Sequence, residues 1–282
     1  MQKDATLSAN RADITDNPIL MIKTSVNREE IFNRTALLTG RRNLDSFGET
    51  KVIIFGLGGV GSWAAETLVR SGFANLTLVD ADRIALSNIN RQLPATTKTV
   101  GEVKVEAMKQ RLLEINPDAQ IVAIHDFYNQ STQSNYVLTD YDVVIDAIDS
   151  LSDKALLILN ATKAMTDTSG NGRRLHFYSS MGAALKTDPS RIAVAEFWKV
   201  KGCPLAAALR RKFKKSGLFP AKKFKCVYSD ELVANHPDAK DMTDRSGAMT
   251  YNKVATNGAM MHITAIFGIT LASLAIRDIM KP

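Results

Sequence analysis

Lys51-Val-Ile-Ile-Phe-Gly56-Leu-Gly58-Gly59-Val-Gly61-Ser62 is the stretch that decides how this chain of 282 residues is read. Its apolar start predicts a strand over 51–55, and the three glycines that follow match the fingerprint of a strand–turn–helix unit. Gly56 permits the tight turn, Gly58 lets the backbone approach a phosphate, and Gly61 lets a helix over about 61–71 lie close on the sheet. Phosphate then meets the helix N-terminus, where free amides and the helix dipole favour negative charge. A second strand, Leu76-Thr-Leu-Val-Asp80, ends in a carboxylate roughly 20 residues beyond the glycines, the distance at which an acid accepts hydrogen bonds from a ribose diol.

The next segment, Ser87-Asn88-Ile89-Asn90-Arg91-Gln92, is too polar for a core element and emerges beside Asp80. A dehydrogenase gains nothing from Arg91 there unless it reads a 2′-phosphate, whereas cleavage of ATP needs several cations around a triphosphate. Lys104, on the first turn of a helix predicted over 102–115, reaches the phosphates from a second direction or stands as a solvated surface lysine. A strand over 142–146 continues as Ala-Ile-Asp149-Ser150, placing Asp146 and Asp149 at the carboxyl end of the sheet, where ligands bind in open α/β folds. Asp149 either holds Mg2+, which keeps substrate phosphates and water as most of its ligands, or caps the helix beginning near 153.

The ordered set of glycine loop, Asp80, Ser-Asn-x-x-Arg-Gln, Lys104 and Asp149 resembles the ThiF/E1-like adenylating superfamily over residues 28 to about 200. The resemblance implies an α/β, Rossmann-like ATP-binding fold with a mixed sheet. It assigns Gly59 and Asp80 to the nucleotide and Asn88, Arg91 and Lys104 to phosphates. Asp82 and Ser87 belong to the same nucleotide-binding set, and Asp149 to Mg2+. It also implies a homodimer in which Arg34, within Ile31-Phe32-Asn33-Arg34-Thr35, reaches into the partner's site. Ile31 stands where the family often has an arginine. Four segments are similar to the tRNA threonylcarbamoyladenosine dehydratase branch: Gly61-Ser-Trp-Ala-Ala-Glu66, Asp146-Ala-Ile-Asp-Ser150, Ser180-Met-Gly182-Ala-Ala-Leu-Lys-Thr-Asp188-Pro189 and Lys225-Cys226-Val-Tyr-Ser229-Asp-Glu231. Where that branch shows Asp-Pro-Leu-Ala, this chain has Cys203-Pro204-Leu205-Ala206.

The implied reaction activates a carboxylate on a modified adenosine of tRNA by attack on the α-phosphate of ATP. A ring then closes with loss of AMP, Arg34, Arg91, Lys104 and Asp149 forming the catalytic set. The second nucleophile is already tethered, so no enzyme thiol is needed. The nearest rival adenylates the C-terminus of a ubiquitin-like sulfur carrier, with a sulfur-transfer protein as partner; a catalytically silent scaffold and an NAD-dependent oxidoreductase are more distant.

Two cysteines suit neither a four-cysteine zinc site nor a disulfide framework. The net charge is +7, and Arg210, Arg211, Lys212, Lys214, Lys215, Lys222, Lys223 and Lys225 cluster among Phe213, Phe219 and Phe224. The cluster either follows a phosphate backbone or is a solvated helix face. Gly258 to Ile276 is apolar enough to raise a membrane reading; a buried helix is preferred, its glycines packing at a subunit interface, with a cytoplasmic location and peripheral membrane contact through 258–279 as the alternative. His262 within it reads as a packing residue. The organisation expected is a flexible tail over 1–27, an adenylation domain over 28–200, and a basic and apolar-helix extension of it over 201–282. Further strands are expected at 120–124 and 175–180, with an antiparallel extension at 192–196 and a turn at 168–174.

Overall fold

The computed structural model describes residues 27–167, 174–238 and 257–280. Nearly all of the expected tail and 168–174 turn, and most of the charged segment before the last helix, lie outside the described residues.

Three short helices, α1 (Arg28–Ile31), α2 (Asn33–Thr39) and α3 (Arg41–Glu49), lead into β1 (Lys51–Phe55), α4 (Gly61–Arg70) and β2 (Asn75–Val79). There follow α5 (Lys104–Ile115), β3 (Gln120–Ile124), β4 (Val143–Asp146), α6 (Leu151–Ala164), β5 (His176–Ser180) and β6 (Ile192–Glu196). The chain closes with α7 (Pro204–Ser216), β7 (Lys225–Ser229) and α8 (Met261–Ile279). The seven strands form one sheet in the order β3-β2-β1-β4-β5-β7-β6. All pairs are parallel except β6 with β7. The mixed sheet and the antiparallel β6 agree with the reading of the sequence. β7 does not, because its first residue, Lys225, belongs to the basic cluster and masks the strand in the sequence; it slots between β5 and β6.

Period-two alternation divides the core. Val52 and Ile54 of β1 face a cluster built with Phe47, Leu68, Met108, Phe267 and Leu271, so α3, α4, α5 and α8 cover one side. Ile53 and Phe55 face Leu157, Ile158, Leu209 and Phe213, so α6 and α7 cover the other. Covered on both sides, β1 and β4 read as apolar runs.

α8 meets the length and hydropathy for a membrane span, yet half of that window is buried in the fold. It packs along α4, and a Cβ on Gly268 would meet the carbonyl oxygen of Val60 at 2.2 Å and Ala64 N at 2.9 Å. The close approach expected at a subunit interface is therefore an intramolecular one at Gly268. Fully burying Phe267 and Leu271 on this helix contributes about 1.5–3 kcal/mol each. His262 Nε2 lies 3.0 Å from the carbonyl oxygen of Thr187, a satisfied packing contact.

Neighbours diverge to either side of β1, with β2 on one flank and β4 on the other. Such a point of reversal opens a crevice at the carboxyl ends of the strands. Gly56, Asp80 and Asp146 end or follow β1, β2 and β4 on that edge.

Candidate active site

Gly56 turns at φ +89°, a region other residues avoid, because a Cβ would lie 2.7 Å from the carbonyl oxygen of Ala147. At Gly61 a Cβ would fall 1.8 Å from the Gly56 carbonyl oxygen, so the helix can start against the turn only at a glycine. Gly58 differs: its Cβ position is clear, with Gln92 Nε2 at 3.9 Å as the nearest neighbour. No side chain caps α4. Apart from Ser62 N, which donates to the Gly58 carbonyl at 3.2 Å, its first-turn amides stay available to a ligand beside an open stretch of backbone. Gly59 is walled by Thr264 of α8 at 2.9 Å and Arg91 Cγ at 3.2 Å, both measured to its Cβ position, so the last helix reaches the glycine loop.

Asp80 organises this loop before any nucleotide arrives. One carboxylate oxygen accepts from Leu57 N at 2.6 Å and the other from Asp82 N at 2.9 Å. Lys104 is neither solvated nor pointed at open space. It is 2% exposed and pairs with Asp80 at 3.2 Å and Asp82 at 2.9 Å. The Asp82 carbonyl also accepts from Lys104 N, tying the start of α5 to the loop after β2.

Segment 87–92 is pinned from several directions. Trp63 Nε1 donates to the Arg91 carbonyl at 3.2 Å, Asn90 Nδ2 donates to the Ala259 carbonyl at 2.9 Å, and Asn88 Oδ1 accepts from Ala85 N at 3.1 Å. The Arg91 guanidinium donates to the Ser87 carbonyl at 2.9 Å and Asn90 Oδ1 at 2.8 Å. Gln92 is 8% exposed; its Nε2 lies beside Gly58, and its buried Oε1 has no hydrogen-bond partner among the described residues.

Asp146 and Asp149 part company. Asp146 is fully buried and pairs with Lys154 at 2.8 Å, while accepting from Ser179 Oγ at 2.7 Å and Ile148 N at 3.1 Å. Lys154 Nζ also donates to the Ile148 carbonyl at 2.9 Å, fixing the bend before Asp149. Asp149 itself is exposed. The cap residue of α6 is Ser150, whose own side chain makes no cap hydrogen bond. Among the described residues no group of three His, Cys, Asp or Glu side chains is placed to hold a metal ion. An exposed carboxylate at this edge is the kind of group that Mg2+ takes from a protein, its remaining ligands being substrate phosphates and water.

Sequence reasoning missed Lys154 and the role of Thr264. A lysine within the apolar Ala155-Leu-Leu-Ile-Leu159 context, one turn before buried Ile158, was the available signal for the first. Thr264 carried none. Arg34 is exposed on α2, one turn from Leu37 and Leu38, which are 81% and 87% exposed. Cys203 and Cys226 are both buried, and burial pushes the Cys226 thiol well up, keeping it protonated. A cavity of about 680 Å³ lined by Tyr128, Gln133, Asn160 and Lys163 lies beside α6, apart from the glycine loop, and belongs to no element of this site.

A doubly wound sheet with a phosphate-type glycine loop at its switch point, ringed by Lys104, Arg91, Asp80 and Asp149, defines a nucleotide-binding α/β protein of the adenylating type. The chain belongs to the ThiF family, whose profile matches residues 32–281. A tRNA threonylcarbamoyladenosine dehydratase from Bacillus subtilis is 33% identical over 252 residues, covering 89% of this chain and 94% of the relative. One from Escherichia coli is 34% identical over 258 residues, covering 88% and 93%. A solved structure of the Escherichia coli enzyme TcdA in complex with ATP superposes with a TM-score of 0.74 at 32% identity, covering 89% of this chain and 94% of that one.

Proposed function

We propose that this chain is an ATP-dependent tRNA threonylcarbamoyladenosine dehydratase, acting by carboxylate adenylation. The observation that carries the reading is the likeness to the ATP-bound Escherichia coli dehydratase through nine-tenths of the chain. The family profile likewise extends well past the glycine loop, to residue 281.

In this reading the Gly58–Gly59 backbone and the start of α4 receive the phosphates, Asp80 and Asp82 border the ribose, and Ser87 and Asn88 shape the loop beside it. Lys104 leaves its carboxylate partners for phosphate, and Arg91 adds a second cation. Asp149 is the residue we assign to Mg2+, which supplies charge neutralisation on the phosphates when bound. The threonylcarbamoyl carboxylate attacks the α-phosphate, pyrophosphate departs, and an atom of the same substrate side chain displaces AMP to close the ring. Negative charge gathers on the phosphate oxygens at the first step, where fixed cations stabilise the transition state most.

The tethered second nucleophile supplies proximity without an enzyme thiol. The buried, protonated Cys226 agrees with that. Arg34 is assigned to the site of a second copy. Leu37 and Leu38 beside it carry apolar surface that a dimer would cover, and Ile31 extends the patch. The test is nucleoside mass analysis of tRNA incubated with the protein, ATP and Mg2+. Loss of water from the threonylcarbamoylated adenosine, with AMP formed in step, is expected; unchanged nucleoside, or ADP as the product, would refute the reading.

A further inference from the structure

Residues 197–229 contain no Asp or Glu and ten lysines and arginines. The fold sorts this charge. Arg210 turns inward, donating to the carbonyls of Phe197 and Val200 and lying 5.9 Å from the Phe197 ring centroid. Lys225 is held by Asp278 at 2.8 Å. Arg211, Lys214, Lys215, Lys222 and Lys223 stay exposed, on the outer side of α7 and the loop that follows it. The inward positions of α7 are Ala206, Leu209 and Phe213, so the apolar face is spent on the core and the cationic face is left to solvent.

Two features separate this face from an ordinary solvated helix. Trp198 and Phe219, 37% and 54% exposed, lie with ring centroids 6.2 Å apart at one end of it, and Leu218 is exposed beside them. At the other end Lys212 Nζ comes within 3.4 Å of Ser152 Oγ, on the first turn of α6, three residues past Asp149. A cationic track thus runs from the nucleotide edge to an exposed aromatic pair. Cations along a phosphate backbone supply sequence-independent affinity, and exposed aromatic rings offer a surface on which unpaired bases stack.

We propose that the outer face of α7 and the 217–223 loop is the tRNA-docking surface, with Phe219 and Trp198 as a stacking platform for an unpaired base and the lysines as backbone contacts. The proposal rests on the dehydratase reading for its partner, but its test is separable from it. Binding of labelled bulk tRNA to the full chain is measured from about 50 to 300 mM salt for the native protein, for Arg211→Gln/Lys222→Gln/Lys223→Gln and for Phe219→Ala. All four side chains are exposed. The triple variant is expected to lower the slope of log affinity against log salt by roughly two to three, close to one for each phosphate that a removed cation would neutralise. Phe219→Ala is expected to weaken binding on the order of tenfold with the slope unchanged, since stacking releases no counterions. Circular dichroism of each variant checks the fold.

Affinities within about twofold of the native protein in both variants, with the slope of the triple variant lowered by less than about one, would overturn the surface, even if the native protein converts tRNA. Loss of tRNA binding in the variants would uphold it even if no conversion were seen, leaving only the activity reading to fall. A triple variant that loses anionic phosphatidylserine vesicles while keeping tRNA would also overturn it, in favour of a membrane surface.

Discussion

Lys154→Met tests whether the strand end that presents Asp149 is held by a single buried charge. Lys154 and Asp146 are fully buried and 2.8 Å apart. At an effective dielectric of about 20 their attraction is about 6 kcal/mol, most of it offset by the cost of drying both ions. The pair as a whole therefore adds little net stability, but removing one member strands the other. Methionine keeps the length of the chain and removes the charge, so Asp146 is left buried with only Ser179 and Ile148 N as donors. The expected loss is about 3–5 kcal/mol. At about 2–4 °C per kcal/mol for a domain of this size, the thermal midpoint should fall by roughly 6–20 °C. Asp146→Asn in the same background removes the stranded charge while keeping an oxygen for the hydroxyl, and should return a good part of the loss. Urea unfolding at unchanged m-value is the assay. A Lys154→Met cost under about 1 kcal/mol would refute the reasoning, because it would mean that no buried charge is being compensated. The freed Ile148 carbonyl should also loosen the bend before Asp149, read as weaker ATP binding in the folded variant.

Other outcomes follow from the same geometry. Gly58→Ala should fold normally, its Cβ position being clear, yet bind ATP poorly by calorimetry, whereas Gly268→Ala, with its Cβ 2.2 Å from the Val60 carbonyl oxygen, should lose stability first. Arg34→Ala and Asp149→Ala should each be inactive alone, while a mixture of the two recovers part of the activity; no recovery would count against an arginine acting across a dimer. Cys226→Ala should still release AMP with modified tRNA, since burial keeps that thiol protonated. Glu66 bridges α4 to α5 through Arg111 at 2.6 Å and pairs with Arg70 of its own helix at 2.8 Å. Burial works to raise its carboxyl, but those hydrogen bonds and charges outweigh it and hold it below the ordinary value. Its stabilisation is therefore present above the usual carboxylate range and lost as pH falls through the lowered value. Glu66→Gln should flatten that acid limb of the unfolding curve.

How far the chain could be read followed from where the information resides. β1 and β3 fall where the strand signals put them, β1 closed by its glycines, because such signals are local. Helix α8 was legible as buried, but not its neighbour, since the close contact of Gly268 with Val60 pairs positions two hundred residues apart. Strand β7 was hidden by charge. Lys225 continues a lysine run, and only its pairing with β5 on one side and β6 on the other separates the strand from it. Residue identities at the nucleotide edge were available from spacing along the chain; the partners of those residues were not. Asp82 drew attention only through the family resemblance, and the structure makes it the closer partner of Lys104. Nothing in the sequence tied Asp146 to Lys154 rather than to a ligand.

Those partners alter what nucleotide binding must accomplish. Lys104 arrives already compensated by two carboxylates, and the Arg91 guanidinium already donates to Ser87 and Asn90. A triphosphate bound as proposed would therefore not meet bare cations; it would exchange one set of acceptors for another, and the net gain per contact would be smaller than for a free charge. The exchange costs something at Asp80, whose oxygens must keep Leu57 and Asp82 amides while losing Lys104. Hydrogen bonds from a ribose diol would replace that cation at the carboxylate while Lys104 turns to phosphate. In the proposed assignment sugar and phosphate recognition would be coupled through one lysine, favouring a ligand that carries both groups over free phosphate or a nucleoside alone.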